Sequence, residues 1–380
     1  MAIISLGKVN KKILYPIIGG ILKFLFEFIF LKEIRNNNNI NLHKQPFILG
    51  LNSSLGLCLS FIPYLIFKKN YDYLERKKIS DDEKLIYNDF DDLIYEKREN
   101  IHYPLLIFSF CDFVQKFLSF IYHGLDNFWI FDILFIMIFS YFILKMKLYT
   151  HHFISLILIL IFGIVIIIIY YLNEERNWEL FFKILNTFII EILFSLEIVV
   201  AKYAIEFKYC SPYEICLFCG ILSLIIFSLL LIIFTFIPMS EINYIRKVEY
   251  EGKMYVDNFI YYFSNLSLIE AIYFILLMVN RFGFNIFCLL TTKYCTPSHI
   301  VIILIIGEIF FGAQTGPLWR EIVEYIIYAF LVFAMLIFLE IIEINCYGLQ
   351  KNTEKNITNR AIELDIKIND DELEEEKEDE

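Results

Sequence analysis

The sequence predicts an all-α fold, a polytopic membrane protein of about ten transmembrane helices arranged as two inverted five-helix repeats. Three observations lead there. The 380-residue chain is 58% hydrophobic, with a mean hydropathy of +0.60, whereas soluble domains are roughly half apolar. Apolar runs near 20 residues recur along it, each about long enough to cross a ~30 Å hydrocarbon core as a helix. A polar gap from Asn173 to Trp178 then divides the runs into five and five. An odd number of crossings makes the second half enter from the opposite side, so halves that share a fold are inverted.

The expected spans are 13–31, 46–67, 103–122, 128–145 and 152–172, followed by 179–203, 213–237, 266–290, 298–314 and 321–344. Lys8, Lys11 and Lys12 precede the first span as they would in a signal peptide, but no small-residue cleavage site follows, so it reads as an uncleaved span. Between the second and third spans lies a cytosolic insert, 68–101. Its Ser80–Glu83 capping box opens an amphipathic helix bearing Leu85, Ile86, Phe90, Leu93 and Ile94, placed along the membrane or beneath the bundle. The stretch "FSYFILKMKLYTHHFISLILILIFGI" (139–164) carries two lysines and two histidines between apolar runs. Adjacent helical residues point about 100° apart, so His151 and His152 make a poor metal site, while Lys145 and Lys147 suit membrane anchoring. The chain thus divides into a first repeat (1–172), a second repeat (173–346) and a tail (347–380).

The formal net charge is −11, yet residues 361–380 hold eleven acids against two bases, which leaves the rest near −2. That tail cannot bury enough apolar surface to order itself and is expected to be solvated. Eight cysteines are scattered without framework spacing, and Cys216-x-x-Cys219 stands alone among apolar neighbours, which favours buried structural thiols. Lysine and arginine are concentrated in the segments that are inner if the N-terminus is inside, with about half as many in the outer loops. Both termini are therefore expected in the cytosol. Walker-type loops, His-Glu-x-x-His helices and a basic nucleic-acid-binding domain are missing from the sequence. Asn52, Asn265 and Asn356 match the glycosylation pattern, but their placement predicts that none is modified.

Charged side chains at bilayer depth cost about 2.5–3.5 kcal/mol on insertion scales, so those that persist usually face a cavity or a partner. In the third span Asp112, Gln115 and Lys116 share a helical face, as a structural pair or as solute contacts lining a cavity. The sixth span carries Asn186, Glu191, Glu197 and Lys202, and either glutamate suits proton coupling or a hydrogen-bonded structural role. The eighth carries Glu270, Asn280, Arg281 and Asn285, with Arg281 fitted to an anionic group. Glu308 lies in the ninth beside Gly307, and Lys23 with Glu27 forms a structural i, i+4 pair in the first.

The runs "HYPLLIFSFCDFVQKFLSFIYHG" and "FSYFILKMKLYTHHFISLILILIFGI" resemble the third-to-fifth-span region of the drug/metabolite transporter superfamily, especially the EamA-like solute carrier family 35 relatives of nucleotide-sugar transporters. Matching positions are Pro104, Asp112, Gly124, Phe139, Ser140, Leu144, Lys145, Leu148 and Gly163. The stretches "LEIVVAKYAIEFKYCSPYEICLFCGI" and "FGFNIFCLLTTKYCTPSHIVIILIIGEIFFG" are similar to later parts of that fold. Entering the fourth span, "FWIFDILFIM" replaces the relatives' Gln-Met-x-Arg-Gly-like stretch, losing a basic residue and leaving Asp132. The resemblance implies a secondary transporter of a small polar organic solute, nucleotide-sugar-like or another metabolite, by exchange or with protons. It also implies an endomembrane location (Golgi, ER or a lysosome- or vacuole-like compartment). The expected path is Asp112, Gln115, Lys116, Glu191, Glu197, Asn280, Arg281 and Glu308, with no enzymatic activity, cofactor or metal. The expected partners are the solute and the bilayer, not nucleic acid, and a homodimer is left open. The competing expectation is a transport-inactive membrane scaffold or receptor that binds partners through its cytosolic segments.

Overall fold

A computed structural model describes residues 4–6, 14–25, 45–67, 101–121, 130–146, 150–173, 178–237, 248–250, 252–300, 302–304, 318–338 and 342–344. They are mostly helical. In chain order the helices are α1 (Leu14–Leu25), α2 (Pro46–Cys58), α3 (His102–Ile121), α4 (Ile130–Ile143), α5 (Thr150–Asn173), α6 (Trp178–Phe207), α7 (Pro212–Phe236), the short α8 (Phe259–Ser264), α9 (Leu268–Tyr294) and α10 (Leu318–Phe338). After a turn at Leu59 and Ser60 the second apolar helix resumes to Phe67. A 3-10 turn, Pro297–His299, starts the expected ninth span. The insert with its Ser80–Glu83 box, the far end of the first span with Glu27, Glu308 and the acidic tail lie outside the described residues.

Four helices among the described residues are long and apolar enough to cross a membrane: Pro46–Phe67, Phe181–Phe207, Pro212–Phe236 and Leu268–Tyr294. Shorter apolar helices continue the series at Leu14–Leu25, Phe131–Ile143, His152–Val165 and Ala329–Phe338. Polarity is inverted relative to a water-soluble bundle. Ile221, Ile225, Leu229, Ile232 and Phe236 form an exposed i, i+3/i+4 stripe along α7, and Leu268, Ile272, Ile275 and Val279 do the same on α9. Asp112, Lys116, Asp132, Glu197, Lys202 and Asn280 are meanwhile buried. Continuous apolar stripes of this extent call for an apolar solvent, and the bilayer supplies it.

Local sequence sets where the helices start. Ser211 and Glu214 close a capping box at the head of α7, with Pro212 at its first position. Ser267 and Glu270 close another at α9, where the Ser267 hydroxyl accepts from Glu270 N at 3.2 Å and Glu270 Oε2 accepts from Ser267 N at 3.1 Å. Glu270, read from the sequence as a polar group inside the eighth span, is therefore an N-terminal cap. Helices α6 and α9, the expected sixth and eighth spans, run on to Phe207 and Tyr294, past their expected ends at 203 and 290.

Packing is built on α2, which lies against α7 and α9. α3 packs on α6, α4 on α6, α5 on α10, and α1 on α9, with further contacts of α7 on α3, α3 on α2 and α9 on α7. Two glycines set the spacing. A β-carbon at Gly220 of α7 would fall 2.8 Å from both Cys58 N and Leu57 Cβ, and one at Gly56 would fall 2.6 Å from Met278 O of α9. Gly220→Leu is therefore expected to lower stability by about 1–3 kcal/mol through overpacking. A thermal melt of the detergent-solubilised protein checks this, and an unchanged midpoint would contradict the close approach. Asn52 ties α2 to α9 as well, its Nδ2 donating to Phe274 O at 2.7 Å. Buried there, it cannot accept a glycan in the folded protein.

The helix ends sort into two faces. Tyr15 stacks on Tyr294 at 4.9 Å and Phe67 on Tyr213 at 5.7 Å, bringing together ends that the lysine pattern assigns to the inner side. Gln45, Thr235 and Asp257 meet at the other end. Four short strands depart from the all-helical expectation among the described residues. Ile342–Ile344, placed by hydropathy in the tenth span, forms a strand β4 paired antiparallel with β1 (Ile4–Leu6), in the register Ile4 with Ile344. Alternating Ile-Glu-Ile suits a strand, and hydropathy alone cannot distinguish it from a helix end. A second two-stranded ladder, β2 (Val248–Tyr250) with β3 (Lys253–Tyr255), lies in the expected outer loop.

Candidate functional site

Among the described residues, the densest buried polar group lies where α3, α6 and α7 meet. Asp112 and Lys116 stand one turn apart on α3, and Lys116 Nζ reaches Asp112 Oδ2 at 2.7 Å. The same oxygen takes Cys219 Sγ at 3.0 Å and Ser223 Oγ at 3.4 Å, both from α7. Three donors thus converge on one carboxylate oxygen, which holds the α3 face against α7. Glu197 of α6 lies within electrostatic reach of Asp112 and Lys116. It is only 5% exposed, and its Oε2 has no hydrogen-bond partner among the described residues. A buried acceptor without a donor is costly, which marks it as a place for an external donor. With two carboxyls and one ammonium, one further positive charge, as a proton or a cationic ligand group, balances the nest.

A second polar group joins α4 to α6. Asp132, 1% exposed, accepts from Ser195 Oγ through its carbonyl at 3.2 Å and through Oδ1 at 3.3 Å. Its carboxyl also hydrogen-bonds that of Glu191, with Lys23 of α1 nearby. A hydrogen bond between two carboxyls requires a proton on one of them. Helix α6 therefore presents Glu197 to one polar group and Glu191 to the other.

The remaining expected residues are distributed differently. Gln115 is half-buried, and its backbone carbonyl accepts from Ser119 Oγ at 2.7 Å. Asn280 donates to Leu22 O of α1 at 3.3 Å, and its buried Oδ1 has no partner among the described residues. Arg281 lies against α2, where its Cβ would be 3.3 Å from a β-carbon at Gly56, and Asn285 bonds back to Arg281 O at 2.8 Å. Asn280 thus lies toward α1 and Arg281 toward α2. Lys202 lies toward the C-terminal end of α9, where its Nζ donates to Cys295 O at 3.0 Å and pairs with Glu206 at 2.6 Å. There it neutralises the C-terminal end of α9.

Sequence reasoning missed Cys219, Ser223 and the Asp132–Glu191 contact. Cys219 and Ser223 are an i, i+4 pair of small polar side chains beside Gly220, a pattern that marks a helix face receiving a polar neighbour. Asp132 stood out as an acid, but its partner lies 59 positions away on a helix whose rotation hydropathy does not fix. The chain matches no family model and no curated protein.

Proposed function

We propose that the protein is a secondary active transporter of the drug/metabolite type, in which ten spans form two inverted five-helix repeats. It moves a small polar organic solute, nucleotide-sugar-like or another metabolite, by alternating access through exchange or proton coupling. The observation that carries this reading is an exchange symmetry in the packing. Numbering the spans in order, with α9 as the eighth and α10 as the tenth, a shift of five places maps neighbours onto neighbours. The second packs on the seventh and the fifth on the tenth, pairs that map onto themselves. The third packs on the sixth as the eighth packs on the first, and the second packs on the eighth as the seventh packs on the third. The contact of α6 with α9 has no such counterpart between α1 and α3 among the described residues. Inverted repeats of this kind place their site at the interface between halves. The Asp112 nest fits that position, since α3 comes from the first half and α6 and α7 from the second.

Pairing of β1 with β4 supports an even number of crossings, because it brings residues 4–6 and 342–344 to one face. The lysine bias supports a cytosolic assignment for that face, and the endomembrane location rests on the family resemblance alone. The acceptors of Glu197 and Asn280 that lack donors among the described residues suit a cargo rich in hydroxyl or amino groups.

Reconstitution into liposomes with a panel of radiolabelled nucleotide sugars, amino acids, amines and organic acids tests the reading. Saturable uptake and counterflow of at least one solute are expected. Folded protein that moves none of them would favour the scaffold instead.

A further inference from the structure

Within the polar nest the two carboxyls are served unequally. Asp112 is well supplied, since Lys116 Nζ, Cys219 Sγ and Ser223 Oγ all donate to its Oδ2. Glu197 of α6 is not: it is 5% exposed, and its buried Oε2 has no hydrogen-bond partner among the described residues. Asp112 acts on it as a like charge and Lys116 as an opposite one, but Lys116 is already committed to Asp112 at 2.7 Å. The other neighbours are soft. Cys111 of α3, Cys216 and Cys219 of α7 and Cys288 of α9 are buried and within electrostatic reach of Glu197. A thiol is a weak donor and brings no positive charge. Cys216 and Cys219 also belong to a buried apolar cluster with Leu105, Ala201 and Ile286, which puts an apolar wall beside the nest. Glu197 therefore lacks both a donor and a counter-charge in a place where water does not substitute for them.

We propose that Glu197 is the docking point for an ammonium group of the cargo, so that among the polar solutes considered above the protein takes an organic amine with N–H donors. In calling that amine a cargo the proposal rests on the transport reading; the binding itself does not. An ammonium supplies at once the charge and the donor that Glu197 lacks, and charge-assisted N–H···O bonds are among the strong ones. A phosphate or carboxylate group would instead meet two acceptor-only carboxylates that share one ammonium. Metal ions fit worse. Hard cations take about six oxygen ligands or more, whereas thiols surround Glu197. Among the described residues no group of three or more His, Cys, Asp or Glu could hold a metal. Ser109, one turn before Asp112 on the same face of α3, is also buried with an unpartnered hydroxyl among the described residues, an acceptor for a second N–H of the same ammonium.

Thermal melts of the full-length protein in detergent test this with matched probes of two sizes. Ethanolamine and tyramine are the primary amines, choline and candicine their trimethylated counterparts, and ethylene glycol and tyrosol the corresponding alcohols. At least one primary amine is expected to raise the midpoint in a concentration-dependent way. Its trimethyl counterpart keeps the charge without an N–H, and its alcohol keeps a donor without the charge, so both should act only at much higher concentration. Glu197→Gln is expected to raise the amine concentration needed for a half-maximal shift by about 10- to 100-fold. Glu197→Asp keeps the charge and should still prefer the amine to the alcohol, which preserves the test if the Gln variant does not melt cooperatively. No shift with either amine, equal shifts with the alcohols, or an amine shift that Glu197→Gln leaves unchanged would overturn the assignment. Melts carry no information on solute movement. Failure here, beside uptake of some other solute in the liposome panel, would leave the transport reading standing, and failure of the panel would leave an amine-binding site standing.

Discussion

Lys116→Met is expected to destabilise the folded bundle by about 3–5 kcal/mol, because it strands the Asp112 carboxylate in the interior with only neutral donors. Cys219 and Ser223 still reach Oδ2, but hydroxyl and thiol donors do not replace an ammonium at 2.7 Å. Adding Asp112→Leu should restore most of the loss, since a buried ion pair exchanged for apolar groups of similar size is often neutral or stabilising. Thermal melts of the two single variants and the double variant form a cycle that isolates the pair. A double variant as unstable as Lys116→Met alone would mean that the stranded Asp112 charge is not the source of the loss.

Glu191→Gln is expected to reduce uptake driven by a pH gradient by about 5- to 150-fold, the range set by coupling energies of about 1–3 kcal/mol. Solute exchange at equal pH on both sides should change far less. The reason is local: Glu191 and Asp132 share a hydrogen bond that requires one proton, and an amide at 191 can donate to Asp132 without releasing any. Initial uptake rates in liposomes with and without an imposed gradient separate the two effects. Equal losses in both assays would assign Glu191 a structural role in joining α4 to α6.

The helices were legible because the bilayer fixes their length: the expected span 46–67 coincides with the observed helical stretch, and 103–122 differs from His102–Ile121 by one residue at each end. The Asp112–Lys116 pair was legible too, since i, i+4 spacing on a helix brings side chains together whatever the tertiary context. Contacts between helices were not. Which face of α7 meets Asp112 depends on the rotation of a helix that is apolar almost all round, so Cys219 and Ser223 gave only the weak signal of small polar residues. Asp257 lies in a loop with no periodicity, and its partners, Phe47 and Ile48, are backbone donors that no side-chain pattern announces. The neighbours of Asn280 and Arg281 on α1 and α2 were not legible either, because they too depend on how α9 is rotated. Strand β4 was hidden for the opposite reason, because its isoleucines read as more of the preceding apolar run.

The most direct test of the central claim, that the Asp112 nest is a solute path and not merely a brace between helices, is counterflow by the Asp112→Leu/Lys116→Met double variant. The protein is reconstituted beside wild type with the solute identified in the panel, after a thermal melt has established that it is folded. A folded double variant that no longer exchanges solute is the expected result. Counterflow at the wild-type rate would contradict the account and leave the nest as structural packing alone.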